Sequence, residues 1–497
     1  MRSPLGAALI AWTVASSALA SVLGSVLASV LALALASASA SASTTTAAAQ
    51  SLPLRLPTDP TLAEIIEESL ATRPDVAEAE ALVQAQSERA SQAGAWPDPM
   101  LEAGIQNDGF SSIEIGRMEG SFVSIMASQT FPWPGKPGLR TEIAELDTRR
   151  ARSAVTRARL TTEADVRRAY LDLLLARDRL ALLDRLEDIW RSSAGVARAR
   201  YEAGDGAQSD VLRSQLELNR IKQRRLAIEV EERTSVQTLN RLRGAAFDAA
   251  ITTSTHTRDL AVPELGDEQA ALADAYARSP ELAAARLAVA VSDRAVSLAE
   301  KSYYPDLVVG AGIMIRGGDF PHMWQLTVGG TLPIFAGTKQ NRAIAESEAR
   351  TLAEQKRQEA IAQVLRLRVA ERRIALSALI ETVHLYREGL LIQSEATAKS
   401  TLAQYQVGKV SFASVLDANA GYIADEDGYL QSITDAHRIL VAAAEVSLES
   451  VVTRGSGVMG GTSVPGASSM GGGPPGGMTR TGGGEPSRAA GSADSPM

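Results

Sequence analysis

The chain has no cysteine and only four histidines in 497 residues. Without a thiol there is no disulfide scaffold, zinc–thiolate site, iron–sulfur centre or thiol nucleophile. Aromatic residues make up 4%, and the formal net charge is −8. An acidic chain poor in aromatics lacks the basic footprint that nucleic acid demands, so no nucleic-acid partner is expected. No P-loop and no H-E-x-x-H is present, and His256, His322, His384 and His437 stand in no triad pattern. The expectation is a protein that is not an enzyme and carries no cofactor.

Charge is also scarce at the start. Residues 1–50 hold one charged side chain, Arg2, ahead of an Ala/Leu/Val run and Ala-Ser repeats. This reads as a signal peptide over 1–45, with an uncleaved membrane anchor as the alternative. At the other end, 14 of the 44 residues in 454–497 are Gly. Such a tail buries too little to offset its ordering entropy, so 453–497 is expected to be disordered. Its Met459, Met470, Met478 and Met497 are either soft-metal ligands or scattered residues of a low-complexity tail.

Proline is missing from two long stretches, between Pro137 and Pro263 and between Pro333 and Pro465. Both stretches are rich in Ala, Leu, Arg and Glu, with apolar residues at helical spacing, as in Val166, Tyr170, Leu173, Ala176, Leu180 and Leu183. Long helical hairpins are expected over 139–243 and 338–451. Helices of this length bury their apolar stripe only against other helices. Each hairpin turns at a glycine-bearing tip, Gly204 and Gly206 in the first, Gly408 beside Lys409 in the second.

The chain repeats itself. Pro74, Pro99, Leu101 and Gly104 align with Pro280, Pro305, Leu307 and Gly310 at an offset of 206 residues, and Tyr201 and Gly204 align with Tyr405 and Gly408. The halves are 60–250 and 268–452, joined by 251–267. Each half holds two strand candidates, about 99–107 and 121–131, then about 306–316 and 322–332. Trp324, Leu326, Val328, Gly330 and Leu332 alternate with Gln325, Thr327, Gly329 and Thr331, a period of two. The lengths suit tilted membrane strands. Hairpins packed on a soluble helical body are the alternative. Four strands cannot close a barrel in lipid, so a membrane reading requires several subunits to share one. His322 and Met323 adjoin in a loop and are either a metal contact or ordinary loop surface.

Arg73-Pro-Asp-Val76, Tyr304-Pro-Asp-Leu307, Gly330-Thr-Leu-Pro-Ile-Phe335 and Tyr405-Gln-Val-Gly408 through Ser414-Val-Leu-Asp417 stand in order in this duplicated frame. Together they resemble the TolC family of outer-membrane efflux channels. The turn Gln129-Thr-Phe-Pro-Trp-Pro-Gly-Lys136, with Pro132, Pro134 and Gly135, is similar to the heavy-metal subgroup, and Pro333 marks the equivalent turn of the second half. The resemblance implies a mostly α protein with a membrane β part. Three protomers would share a 12-stranded barrel in the outer membrane, joined to a periplasmic helical barrel. It also implies a homotrimer in outer-membrane lipid, a periplasmic adaptor (membrane fusion protein) and an inner-membrane pump, of RND type. A periplasmic coiled-coil adaptor or scaffold is the rival reading. Such proteins carry one hairpin flanked by β domains.

The resemblance also implies a gate at the tips. Asp210 matches the family's aspartate that pairs with a tyrosine, and Tyr405 matches that tyrosine. Asp417 matches one acidic ring position, and the other falls on Ser414. The family's basic link residue falls on Val410, beside Lys409.

Overall fold

A computed structural model describes residues 59–450. The expected signal peptide and tail lie outside the described residues. Each half runs helix, helix, strand, strand and long helical hairpin. The first half has α1 (Pro60–Thr72), α2 (Pro74–Ala93), β1 (Met100–Gln106), β2 (Phe122–Phe131), α3 (Lys136–Glu202) and α4 (Gln208–Arg243). The second has α5 (Glu268–Arg278), α6 (Pro280–Glu300), β3 (Leu307–Ile315), β4 (Met323–Gly330), α7 (Gln340–Leu385), α8 (Leu391–Gln406) and α9 (Phe412–Glu445). Proline starts helices here: Pro60, Pro74 and Pro280 occupy the first helical turn, where the missing N–H costs nothing.

Helix α3 has 67 residues and is therefore roughly 100 Å long. Its second-half counterpart is not one helix, as the proline gap alone suggests. A π turn, Tyr386–Leu390, separates α7 from α8. The Tyr386 hydroxyl there covers Gly428 of α9, where an added Cβ would meet it at 2.3 Å. The wide turn places this bulky side chain against a position where the absence of a Cβ leaves room for it.

The strands form one antiparallel sheet in the order β1-β2-β3-β4, so the central pair joins the two halves. Register makes the sheet two-faced. One face carries rows Leu101–Ala127–Ala311–Leu326 and Ala103–Ile125–Ile313–Trp324. The other carries Met100–Ser128–Gly310–Thr327, Glu102–Met126–Gly312–Gln325 and Gly104–Ser124–Met314–Met323. The apolar face is open to the surroundings: Leu101 is 74% exposed, Ile105 73%, Trp324 77% and Leu326 60%. No helix among the described residues is long and apolar enough to cross a membrane.

The helices bury what the sheet leaves open. One core packs Tyr170, Leu173 and Leu174 of α3 on Leu62 and Ile65 of α1 and on Leu239 and Leu242 of α4. Arginines fasten the end of the second hairpin, where helix geometry leaves carbonyls without partners. Arg278 donates to Ala444 O, Arg157 to Glu445 O and Val446 O, Arg372 to Ser447 O and Arg368 to Leu448 O. Burial pulls the Arg372 guanidinium down to about 10, which leaves it charged at neutral pH.

Asp59 is buried at the base of this core. It accepts hydrogen bonds from the Tyr170 hydroxyl, Thr61 N and Ser254 Oγ. Burial alone would raise its pKa. Those hydrogen bonds and one from Thr255 outweigh burial and hold it at about 2. An unfolded aspartate titrates near 3.9, so this carboxylate stabilises the fold fully above about pH 4 and loses that contribution as pH falls towards 2. Asp59→Asn is expected to flatten this acid limb and to cost about 1–3 kcal/mol at pH 7. Circular-dichroism melts from pH 2 to 7 read both effects, and an unchanged slope in the variant would remove Asp59 from the acid response.

Candidate functional site at the hairpin tips

The two hairpins meet at their tips in one apolar cluster. Leu182, Leu186, Trp190 and Ala197 of α3 and Ile221 of α4 pack on Tyr405 of α8 and on Phe412 and Val415 of α9. Phe412 is the keystone: its ring lies 5.3 Å from Tyr405 and 6.5 Å, edge-on, from Trp190. Gly204 at φ 83° and Gly408 at φ 74° reverse the chain where a side chain would be strained. Gly206 is confined differently, since a Cβ there would come 2.8 Å from Tyr201 N.

At this junction the Tyr405 hydroxyl donates to Asp210 Oδ2 at 3.1 Å, tying α8 to α4 within one chain. Tyr405 is 2% exposed. Burial, and then the hydrogen bond to Asp210, push its phenol up to about 12, so it remains a donor across the physiological range.

Sequence reasoning missed the third partner, Arg200. Its guanidinium sits 4.8 Å from the centre of the Tyr405 ring and donates to Tyr405 O at 2.6 Å and to Asp205 O at 3.1 Å. It therefore holds the ring, the end of α8 and the turn of the first hairpin at once. The sequence signal was slight, an arginine one residue before the repeat-matched Tyr201 and two residues after Arg198. Nothing local says that it reaches across to the other hairpin.

The remaining tip residues are placed differently. Val410 packs against the apolar cluster. Lys409 is exposed, and no ion pair of Lys409 is present among the described residues. Ser414 belongs to the start of α9, where its N–H and hydroxyl both meet Ser411 Oγ, at 3.4 and 3.2 Å. Asp417 lies one turn further along α9, exposed to solvent.

A second linkage joins helices to sheet. Gly135, at φ 92°, follows Pro132 and Pro134 and opens α3. Trp133 stacks on Tyr304 at 5.1 Å, and Trp133 N donates to Asp306 Oδ1 at 2.8 Å. Lys136 Nζ reaches Asp306 Oδ1 and Tyr304 O, both at 2.8 Å. Two motifs 170 residues apart thus form one joint. Pro333 lies in a longer turn, 331–339, between β4 and α7. Strand β4 ends at Gly330, so Leu332 and Pro333 fall in that turn.

A family model described as outer membrane efflux protein matches residues 65–245 and 271–442. The nickel and cobalt resistance protein CnrC of Cupriavidus metallidurans is 26% identical over 286 residues, 57% of this chain and 65% of CnrC. The fusaric acid resistance protein FusA of Burkholderia cepacia is 30% identical over 228 residues, 43% of this chain and 42% of FusA. The matched part of the chain thus spans less than two thirds of either relative. The solved outer membrane protein VceC from Vibrio cholerae superposes with a TM-score of 0.64 over 79% of this chain and 97% of VceC. At 18% identity that likeness speaks for the fold.

Proposed function

Because the chain belongs to the outer membrane efflux protein family, we propose that it is the passive exit duct of a three-part efflux system. Its place is the outer membrane, with the helices in the periplasm. Three protomers, each giving four strands, would close one barrel, since four strands alone leave two edges that lipid cannot satisfy. The observation that carries this reading is the sheet's exposed apolar face, backed by a face of Gly, Ser, Thr, Gln, Glu and Met. A soluble hairpin pair would turn that apolar face inward. The periplasmic adaptor reading gives way to the family membership.

An adaptor would dock at the tips, and an inner-membrane pump of RND type would supply the energy. The name of CnrC concerns nickel and cobalt, and that of FusA concerns fusaric acid. The likeness of the Pro-Trp-Pro-Gly turn to the heavy-metal subgroup, together with the match to CnrC, supports metal ions as the cargo. Planar-bilayer recording tests the duct. A heat-sensitive trimer giving a small cation-selective conductance is expected. A water-soluble protein without conductance would end this reading.

Asp417 supplies a selectivity ring in this proposal. Three exposed carboxylates about one axis would focus negative potential. Asp417→Asn is expected to shift the reversal potential under a salt gradient towards zero selectivity and to weaken block by divalent cations. An unaltered reversal potential would assign the selectivity elsewhere.

A further inference from the structure

The chain has ten methionines, and their placement is uneven. Among the described residues Met100, Met118, Met126, Met314 and Met323 all lie in the sheet or in the loop between β1 and β2. The five apolar clusters of the helical part contain no methionine. Methionine as a flexible filler of cores would show the opposite distribution.

Four of the five share one face, the one opposite the apolar face. The register orders them as a staircase. Met100 of β1 lies in the row with Ser128, and Met126 of β2 lies two residues further towards the loops. Met126 pairs with Gly312, and Met314 of β3 lies two residues further again. Met314 is directly opposite Met323 of β4. Each of the first two steps is one strand across and two residues up, a diagonal of about 7–8 Å that long side chains span. The path runs from the helical end of the sheet to its loop end.

Glycine makes room for it. A Cβ on Gly312 would come 2.5 Å from Met126 Cγ, so the Met126 side chain occupies the space over β3 that this glycine leaves. Glu102 sits in the same row as Met126 and adds negative charge. His322 adjoins Met323 at the outer end. Among the described residues of one chain no group of three or more His, Asp or Glu is arranged to hold a metal ion.

Thioethers are soft, neutral ligands that select monovalent d10 cations over hard or borderline divalent ones. We propose that Met100, Met126, Met314 and Met323 form a thioether site for a soft monovalent cation of the Cu(I)/Ag(I) class and pass it stepwise along the inner face of the sheet. Passage rests on the barrel reading given above, whereas binding does not.

Silver(I) is the redox-silent probe, added as nitrate in chloride-free buffer to the full-length detergent-extracted protein. Equilibrium dialysis should show that Met126→Leu/Met314→Leu/Met323→Leu weakens Ag(I) binding at least tenfold. Ni(II) binding should be the same in both proteins. The tail methionines remain in both, so the tenfold change is read in the binding left after the variant's own background is subtracted. Equal Ag(I) binding would overturn the site. A readout on the wild-type protein guards against a misfolded variant. Ag(I) should protect Met126, Met314 and Met323 from peroxide oxidation, mapped by mass spectrometry, and leave Met118 reactive. Uniform oxidation with and without silver would overturn the site as well. In bilayers, Ag(I) should block wild-type conductance and spare the triple variant, and equal block of both would overturn passage. Absence of any conductance before silver is added would refute the barrel and leave the dialysis result standing.

Discussion

Leu326→Arg is expected to abolish assembly of the protein in the outer membrane. Leu326 lies mid-strand, 60% exposed, in the apolar row with Leu101, Ala127 and Ala311. A charge on the lipid face near the midplane costs about 2–4 kcal/mol per copy, and a trimer carries the cost three times. The neighbouring Gln325 faces the other way, so Gln325→Arg is expected to assemble normally and only to alter ion selectivity. Heat-sensitive trimer in outer-membrane fractions, read by gel mobility, separates the two variants. Equal assembly of both would mean that the apolar face does not meet lipid.

Loss of the tip linkage should give the largest functional change. Asp210→Ala with Tyr405→Phe removes the hydrogen bond between α8 and α4 while keeping the Tyr405 ring in its cluster. A hydrogen bond to a charged group contributes about 1.5–3 kcal/mol, and the cation–π contact of Arg200 about 0.5–2. Single-channel conductance is expected to rise several-fold in the double variant. Arg200→Ala should raise it comparably, because Arg200 holds the same tyrosine through its ring and its backbone carbonyl. Lys409→Ala is the control and should leave conductance unchanged. Unchanged conductance in both the double variant and Arg200→Ala would show that the tips do not limit the pore. In the wild-type protein, conductance should not rise through alkaline pH up to about 10. With its phenol pushed up to about 12, Tyr405 keeps its donor almost entirely at pH 10 and loses it as the pH passes through about 12.

The strand-to-helix joint shows how far a local motif reaches. Pro132, Pro134 and Gly135 announce a rigid turn, and Gly135 takes the positive φ such a turn needs. The partner of that turn, Asp306, is equally visible as part of Tyr304-Pro-Asp-Leu307. Their union through Lys136 and Trp133 appears only when β2 and β3 pair. Arg200 is a similar case. It sits among several arginines of α3, and only its contact with Tyr405 of the other hairpin sets it apart from them.

The sequence by itself determined the duplication, the long hairpins and their glycine tips, and the two faces of β4. These follow from proline spacing, helical and alternating periods and turn chemistry, all of which act over a few residues. It also carried the order of motifs by which the family is known. The tertiary structure decided what depends on long-range register. The β2–β3 pairing merges the halves into one sheet, and this reveals the apolar face that the uneven alternation of β1 and β2 obscures. It also decided the π turn over Gly428, the arginines on the last carbonyls of α9 and the alignment of four methionines. Pairings of this kind join residues far apart in the chain, and no local preference specifies which distant segment fills the space opposite.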